Sequence, residues 1–157
     1  MRTTGDSGAR RCIVVASFLA TRRAMALTPM FLAMAVQAAP VTIAIDDARF
    51  APIDPRNPNG PQIAVLRGDP AAGPSDMLMR FSRGQGVPHV HSSDYRLVVV
   101  EGVMTHAKAG EEAGAKPLGP GSYWFQPGEQ PHVDGCLSER CTMFISWSGK
   151  RDARRAP

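Results

Sequence analysis

Glycine and proline interrupt this chain too often for long helices to form. The 157 residues include 15 Gly and 14 Pro. They cluster where turns belong: Asp54-Pro55-Arg56-Asn57-Pro58-Asn59-Gly60-Pro61, Gly68-Asp69-Pro70, Gly84-Gln85-Gly86 and Gly119-Pro120-Gly121. Proline removes a helix donor and clashes with the preceding turn, and glycine adds an entropic cost. Between the clusters lie short β-prone runs: Val41–Ile45, Ile63–Arg67, Met77–Phe81, His89–His91, Tyr95–Val100, Ser122–Phe125 and Thr142–Trp147. Many short strands at near-regular spacing predict an all-β sandwich or barrel. The Ala/Gly/Lys/Glu-rich stretch 107–117 reads as a surface loop between hairpin strands. No Gly-rich phosphate loop precedes a helix, so nucleotide chemistry has no support.

The first 38 residues have a different character. Arg10-Arg11 and Arg22-Arg23 flank apolar runs at Cys12–Ala20 and Ala24–Val36. Neither run reaches the roughly 20 residues that a membrane-spanning helix needs. Val36 and Ala38 at −3 and −1 suit cleavage after Ala38. Thr21-Arg22-Arg23-Ala24-Met25 resembles the start of a twin-arginine signal. Residues 1–38 thus read as an export leader, and 39–157 as one domain with a short basic C-terminal tail. The expected location is periplasmic or secreted, without stable membrane association once the leader is gone.

Leader removal changes the electrostatics. The leader holds five Arg and one acid, Asp6, which leaves 13 basic and 13 acidic residues of the original 18 and 14. No domain-wide positive field remains to attract nucleic acid. The basic run Lys150–Arg155 reads as a solvated tail. Cys12 leaves with the leader. Cys136 and Cys141 remain as an even pair in an oxidising compartment, where a disulfide is the expected state. A Cys136 thiolate reaching a metal is the alternative.

His89-Val90-His91 places two imidazoles on one face of a strand, because strand side chains alternate. The segments around it supply the rest of a pattern. Tyr95 to Gly102 reads as a strand running into a turn. Gly121, Pro127 and His132 follow in Gly121-Ser122-Tyr123-Trp124-Phe125-Gln126-Pro127-Gly128-Glu129-Gln130-Pro131-His132. The arrangement resembles the two motifs of the cupin superfamily across roughly residues 76–147. The first motif is His-x-His, then Glu, then Gly; the second is Gly, Pro-x-Gly, His, then Asn. The resemblance implies a small double-stranded β-helix, or jelly-roll, barrel. It implies a divalent metal ion on His89, His91 and His132.

Three positions depart from that pattern. Tyr95 stands where the glutamate ligand would be, Glu129 where a glycine would be, and Cys136 where the asparagine would be. Three neutral imidazoles suit Zn, Fe, Mn, Co or Ni, and ligand type alone does not choose among them. Three-His cupins of this kind are similar to diketone-cleaving dioxygenases. The chain is also similar in fold to the cupin half of zinc-dependent anti-sigma factors. Tyr95 shares the face of His89 and His91. An ordinary phenol titrates near 10, so Tyr95 is expected as a proton donor or core aromatic rather than a ligand, and is the best catalytic proton donor in sight. Asp94 reads as a solvated turn residue, His106 as a surface residue and Arg96 as outward-facing. Met79, Phe81, Trp124, Phe125 and Trp147 are core candidates.

No carboxylate sits in the motif to act as a general base. That favours an oxygenase-like enzyme acting on a small organic molecule over a hydrolase or isomerase. The alternative is a non-catalytic module that binds or senses a small ligand through its metal, with metal carriage a weaker third. The sequence carries no oligomer signal of its own; a homodimer is allowed by the general tendency of a second copy to cover the exposed edges of small barrels.

Overall fold

The computed structural model describes residues 39–156. The leader read at 1–38 lies outside the described residues, and Cys12 with it. Nine strands among the described residues form one curled antiparallel sheet, an all-β half-barrel of the kind that the motif resemblance implies. They are β1 (Ala51–Pro52), β2 (Gln62–Gly68), β3 (Ser75–Gln85), β4 (His89–Val90), β5 (Tyr95–Glu101), β6 (Met104–Lys108), β7 (Tyr123–Gln126), β8 (His132–Trp147) and β9 (Arg154–Arg155). Short 3₁₀ turns at Ile45–Asp47 and Glu112–Gly114 complete the regular structure. Among the described residues no helix is long and apolar enough to cross a membrane.

The strand β8 is the spine of the sheet. Its second limb, Thr142–Trp147, pairs with β3 on one side and β5 on the other. Its first limb, His132–Cys136, pairs with β6 over its whole length and with the end of β3. The two limbs meet at a tight bend. The Cα atoms of Cys136 and Cys141 are 5.8 Å apart across five residues, where an extended chain would span about 17 Å. A disulfide joins the two cysteines. By loop-closure entropy, a ring this small stabilises the fold by about 2 kcal/mol. It also ties the limb that begins at His132 to the limb that builds the core.

Alternation along the strands decides what lies inside. On β8, Cys141, Met143, Ile145 and Trp147 are buried, and on β5 so are Tyr95, Leu97 and Val99. With Met77, Met104 and Trp124 they form one apolar cluster, against which Met79 and Phe81 pack partly buried. Phe125 is not part of it. It alternates with Trp124, is 44% exposed, and lies under the guanidinium of outward-facing Arg96. Val41–Ile45 is not a strand either; its apolar residues are exposed, and Ile45 begins a 3₁₀ turn. The stretch 104–108, not marked as a strand by its composition, forms β6 because the register against β8 captures it.

Gly102 turns the chain from β5 into β6. Its φ of 81° is left-handed, and a Cβ there would collide with the carbonyl oxygen of Arg140. The glycine of the first motif is therefore a steric requirement of this turn, which carries the chain from one limb of β8 to the other. Gly102→Ala should destabilise the protein by about 1–3 kcal/mol, read as a lower denaturation midpoint with an unchanged m-value.

Candidate metal centre

His89 and His132 are direct register partners, one opening β4 and the other opening β8. His91 lies just beyond β4. The pairing draws three rings together, with centroids 4.3 Å (His89–His132), 4.8 Å (His89–His91) and 5.1 Å (His91–His132) apart. One ring nitrogen from each lies within 4.8 Å of the other two.

Backbone carbonyls fix which nitrogen that is. Nδ1 of His89 donates to the Val87 carbonyl at 2.9 Å, and Nδ1 of His132 to the Gln130 carbonyl at 2.9 Å. Nδ1 of His91 donates to the Asp152 carbonyl. A carbonyl only accepts, so each Nδ1 carries the proton and each Nε2 keeps its lone pair. Burial favours the same neutral state. His91 and His132 are 8% and 1% exposed. Burial brings the His91 pKa down to about 4 and lowers that of His132. Neutral imidazoles with Nε2 free are what a metal requires. Metal–nitrogen bonds of about 2.0–2.1 Å allow donors up to roughly 4.2 Å apart, slightly closer than the widest spacing here. The cluster is thus consistent with a divalent metal site whose identity the ligands do not set.

Tyr95 points into this cluster, as its parity requires. Its hydroxyl donates to Nε2 of His132 at 3.2 Å and accepts from the Trp124 indole at 3.4 Å. Burial pushes the phenol pKa well above its ordinary value, so Tyr95 stays protonated near neutral pH. Cys136 is engaged in its disulfide and is no ligand. Asp94 braces a loop, accepting from the Gly128 N–H at 2.7 Å.

A carboxylate does stand at the site, contrary to the reading of the motif. Asp134 follows His132 by two residues and shares its face of β8. Its Oδ2 lies 3.9 Å from Nε2 of His89 and 4.0 Å from Nε2 of His132. Its Oδ1 is held by Nδ1 of His106 at 2.7 Å. His106 is not a surface residue: it sits opposite Asp134 in the β6–β8 register and stacks on Trp124 with ring centroids 4.7 Å apart. Parity with His132 was the signal for Asp134. Nothing local in the sequence marked His106.

The basic C-terminus is not a free tail either. Arg154 and Arg155 pair with β4 as β9. The Asp152 carboxylate accepts from the Ser92 N–H at 2.8 Å and the Ser92 hydroxyl at 2.7 Å, while its carbonyl holds His91. Arg154 pairs with Glu129. Glu129 occupies the second motif's glycine position and has a left-handed φ of 60°. The backbone conformation is kept although the glycine is not, and the Glu129 N–H bonds the His91 carbonyl at 2.8 Å. A cavity of about 270 Å³ opens on the cluster, lined among others by His89, His91, Tyr95, Asp134, Trp147 and Arg151.

A family model described as "Domain of unknown function (DUF4437)" matches residues 42–148. The chain belongs to this family. Solved structures, an RmlC-like cupin among them, share its fold. KdgF from Halomonas sp. is 23% identical with a TM-score of 0.55, covering 69% of this chain and 94% of its own. An RmlC-like cupin from Shewanella frigidimarina is 20% identical with a TM-score of 0.57, covering 74% and 96%. The polyketide cyclase RemF from Streptomyces resistomycificus is 21% identical with a TM-score of 0.58, covering 74% and 84%. At these identities the likeness is one of fold. Comparison with curated proteins finds no significant match.

The buried neutral histidines make the metal-free protein acid-sensitive. The unfolded chain binds a proton at His91 near pH 6.5, whereas the folded one does so only near pH 4. The His91 contribution is therefore intact above about pH 6.5 and is lost as the pH falls toward 4, by up to about 3 kcal/mol. Denaturation midpoints of metal-free protein should drop across this window, and His91→Gln should flatten the drop.

Proposed function

We propose that the protein is an exported, metal-dependent enzyme that acts on a small organic molecule. The observation that supports this most is a three-histidine cluster beside a cavity lined by two of its members, His89 and His91, with the Asp134 carboxylate and the protonated Tyr95 phenol. A divalent ion on His89, His91 and His132 would supply Lewis acidity toward a substrate oxygen. The protein's own residues supply the rest. Tyr95, kept protonated by burial, is the proton donor. Asp134, with one oxygen held by His106 and the other facing the cluster, is the proton acceptor. Apolar walls from β3, β5 and β8 limit water. A donor and an acceptor on one cavity favour proton-transfer chemistry, such as elimination, cyclisation or isomerisation. Proteins of similar fold named as a polyketide cyclase and as a DMSP lyase agree with this direction.

An oxygenase is the second reading, supported by a ligand set of three neutral imidazoles without the glutamate. Anaerobic turnover separates the two. Full activity without O₂ sinks the oxygenase, and stoichiometric O₂ uptake sinks the proton-transfer reading. Tight metal with no turnover across carbonyl, phenol and hydroxy-acid panels would leave a binding module. Export is supported by the leader and the disulfide, and the exported form should begin at Ala39.

Metal analysis tests the assigned roles directly. His89→Ala and His132→Ala should each lose stoichiometric metal. Tyr95→Phe and Asp134→Asn should keep it while lowering kcat by roughly 100-fold or more. Loss of metal in Tyr95→Phe would make Tyr95 a ligand and overturn its role as donor.

A further inference from the structure

The cavity beside the histidines carries one permanent cation, Arg151. Among the described residues its guanidinium has no ion-pair or hydrogen-bond partner. The nearest acid in sequence, Asp152, has both carboxylate oxygens engaged by Ser92. Asp54, which also lines the cavity, is paired with Arg56 at 3.0 Å. Asp134 is held by His106. Arg151 is not a loose surface residue, for its N–H is anchored to the Pro70 carbonyl at 2.8 Å. Its guanidinium is partly withdrawn from water, which pulls its pKa below the ordinary value. The Asp152 carboxylate acts on it only through space, both of its oxygens being engaged by Ser92, and a partly desolvated cation so weakly countered is costly unless something supplies a partner.

A second unsatisfied group stands in the same wall. Trp147 lines the cavity, is 4% exposed, and its indole N–H has no acceptor. Around these two donors the surface is apolar: Met79, Leu97, Met143 and Ile145. The volume, about 270 Å³, lies just below the usual range of about 300–1,000 Å³ for drug-sized ligands.

We infer that the ligand is a small organic carboxylate with an apolar body, its carboxylate paired with Arg151. The guanidinium offers a planar fork of donors that matches a carboxylate in two bonds at once. The apolar side chains take the carbon skeleton. This inference deepens the proposed function by naming the substrate class, and it relies on that reading only in placing the ligand beside the metal.

The test uses acetate, butyrate, isovalerate and benzoate against their uncharged amides, titrated calorimetrically into metal-free and zinc-loaded protein. Wild type should bind at least one of the larger acids about tenfold or more tightly than its amide. Arg151→Gln should bring acid and amide within about threefold, with metal stoichiometry and melting temperature unchanged. Arg151→Lys should keep part of the preference, because it keeps the charge and loses the fork. Equal binding of acid and amide by wild type overturns the inference. So does an undiminished preference in Arg151→Gln, which would assign the carboxylate to the metal, and so does the absence of saturable binding by every acid. Failure of the metal reading shows separately, as wild type without stoichiometric zinc, and the metal-free titration then still reports on Arg151.

Discussion

Each of the three imidazoles gives its Nδ1 proton to a backbone carbonyl, of Val87, Gln130 or Asp152. The site depends on this pattern. A free imidazole can place its proton on either nitrogen and turn about two torsions. A carbonyl partner removes the tautomer choice and restricts the rotation, so three lone pairs are aimed before any ion arrives. The carbonyls come from the turn before β4, the turn before β8 and the segment that returns after β8. Sheet register brings the first two together through the His89–His132 pair. The third requires the chain to come back across the open end of the half-barrel.

Burial and charge work together around that frame. Desolvation keeps His91 and His132 neutral and Tyr95 protonated. The one carboxylate facing the cluster is fixed by a histidine that is itself stacked on Trp124. The Tyr95 hydroxyl and a metal ion would call on the same lone pair of His132, so an ion held there would free the phenol from that bond. The phenol on β5 and the carboxylate on β8 both line the cavity, while the disulfide holds the first limb of β8 to the core.

Much of this was legible in the sequence, and the reasons for the rest are physical. The motif residues His89, His91, Gly102 and His132 fall where their spacing implied, because two-residue alternation and glycine turns are local rules. The strands from Tyr95 and from Tyr123 also fall close to their expected places. Val41–Ile45 has strand composition but finds no partner strand. β6 has little strand composition but is captured by β8. Asp134 is readable from its parity with His132, although the family pattern places its polar residue at position 136 instead. His106 and the C-terminal segment were not readable, since their placement depends on pairings between residues far apart in sequence. Glu129 shows the opposite case: the residue departs from the family pattern, yet the left-handed backbone that the pattern's glycine serves is still present.

The segment after β8 has a practical consequence. Within it, Asp152 supplies a carbonyl to His91 and a carboxylate to Ser92, Arg154 and Arg155 pair with β4, and the Ala156 N–H bonds the Pro88 carbonyl at 3.0 Å. Residues 151–156 thus brace the site, and Arg151 and Ala153 line its cavity. A substitution in this segment would act on the histidine cluster as directly as one among the histidines themselves.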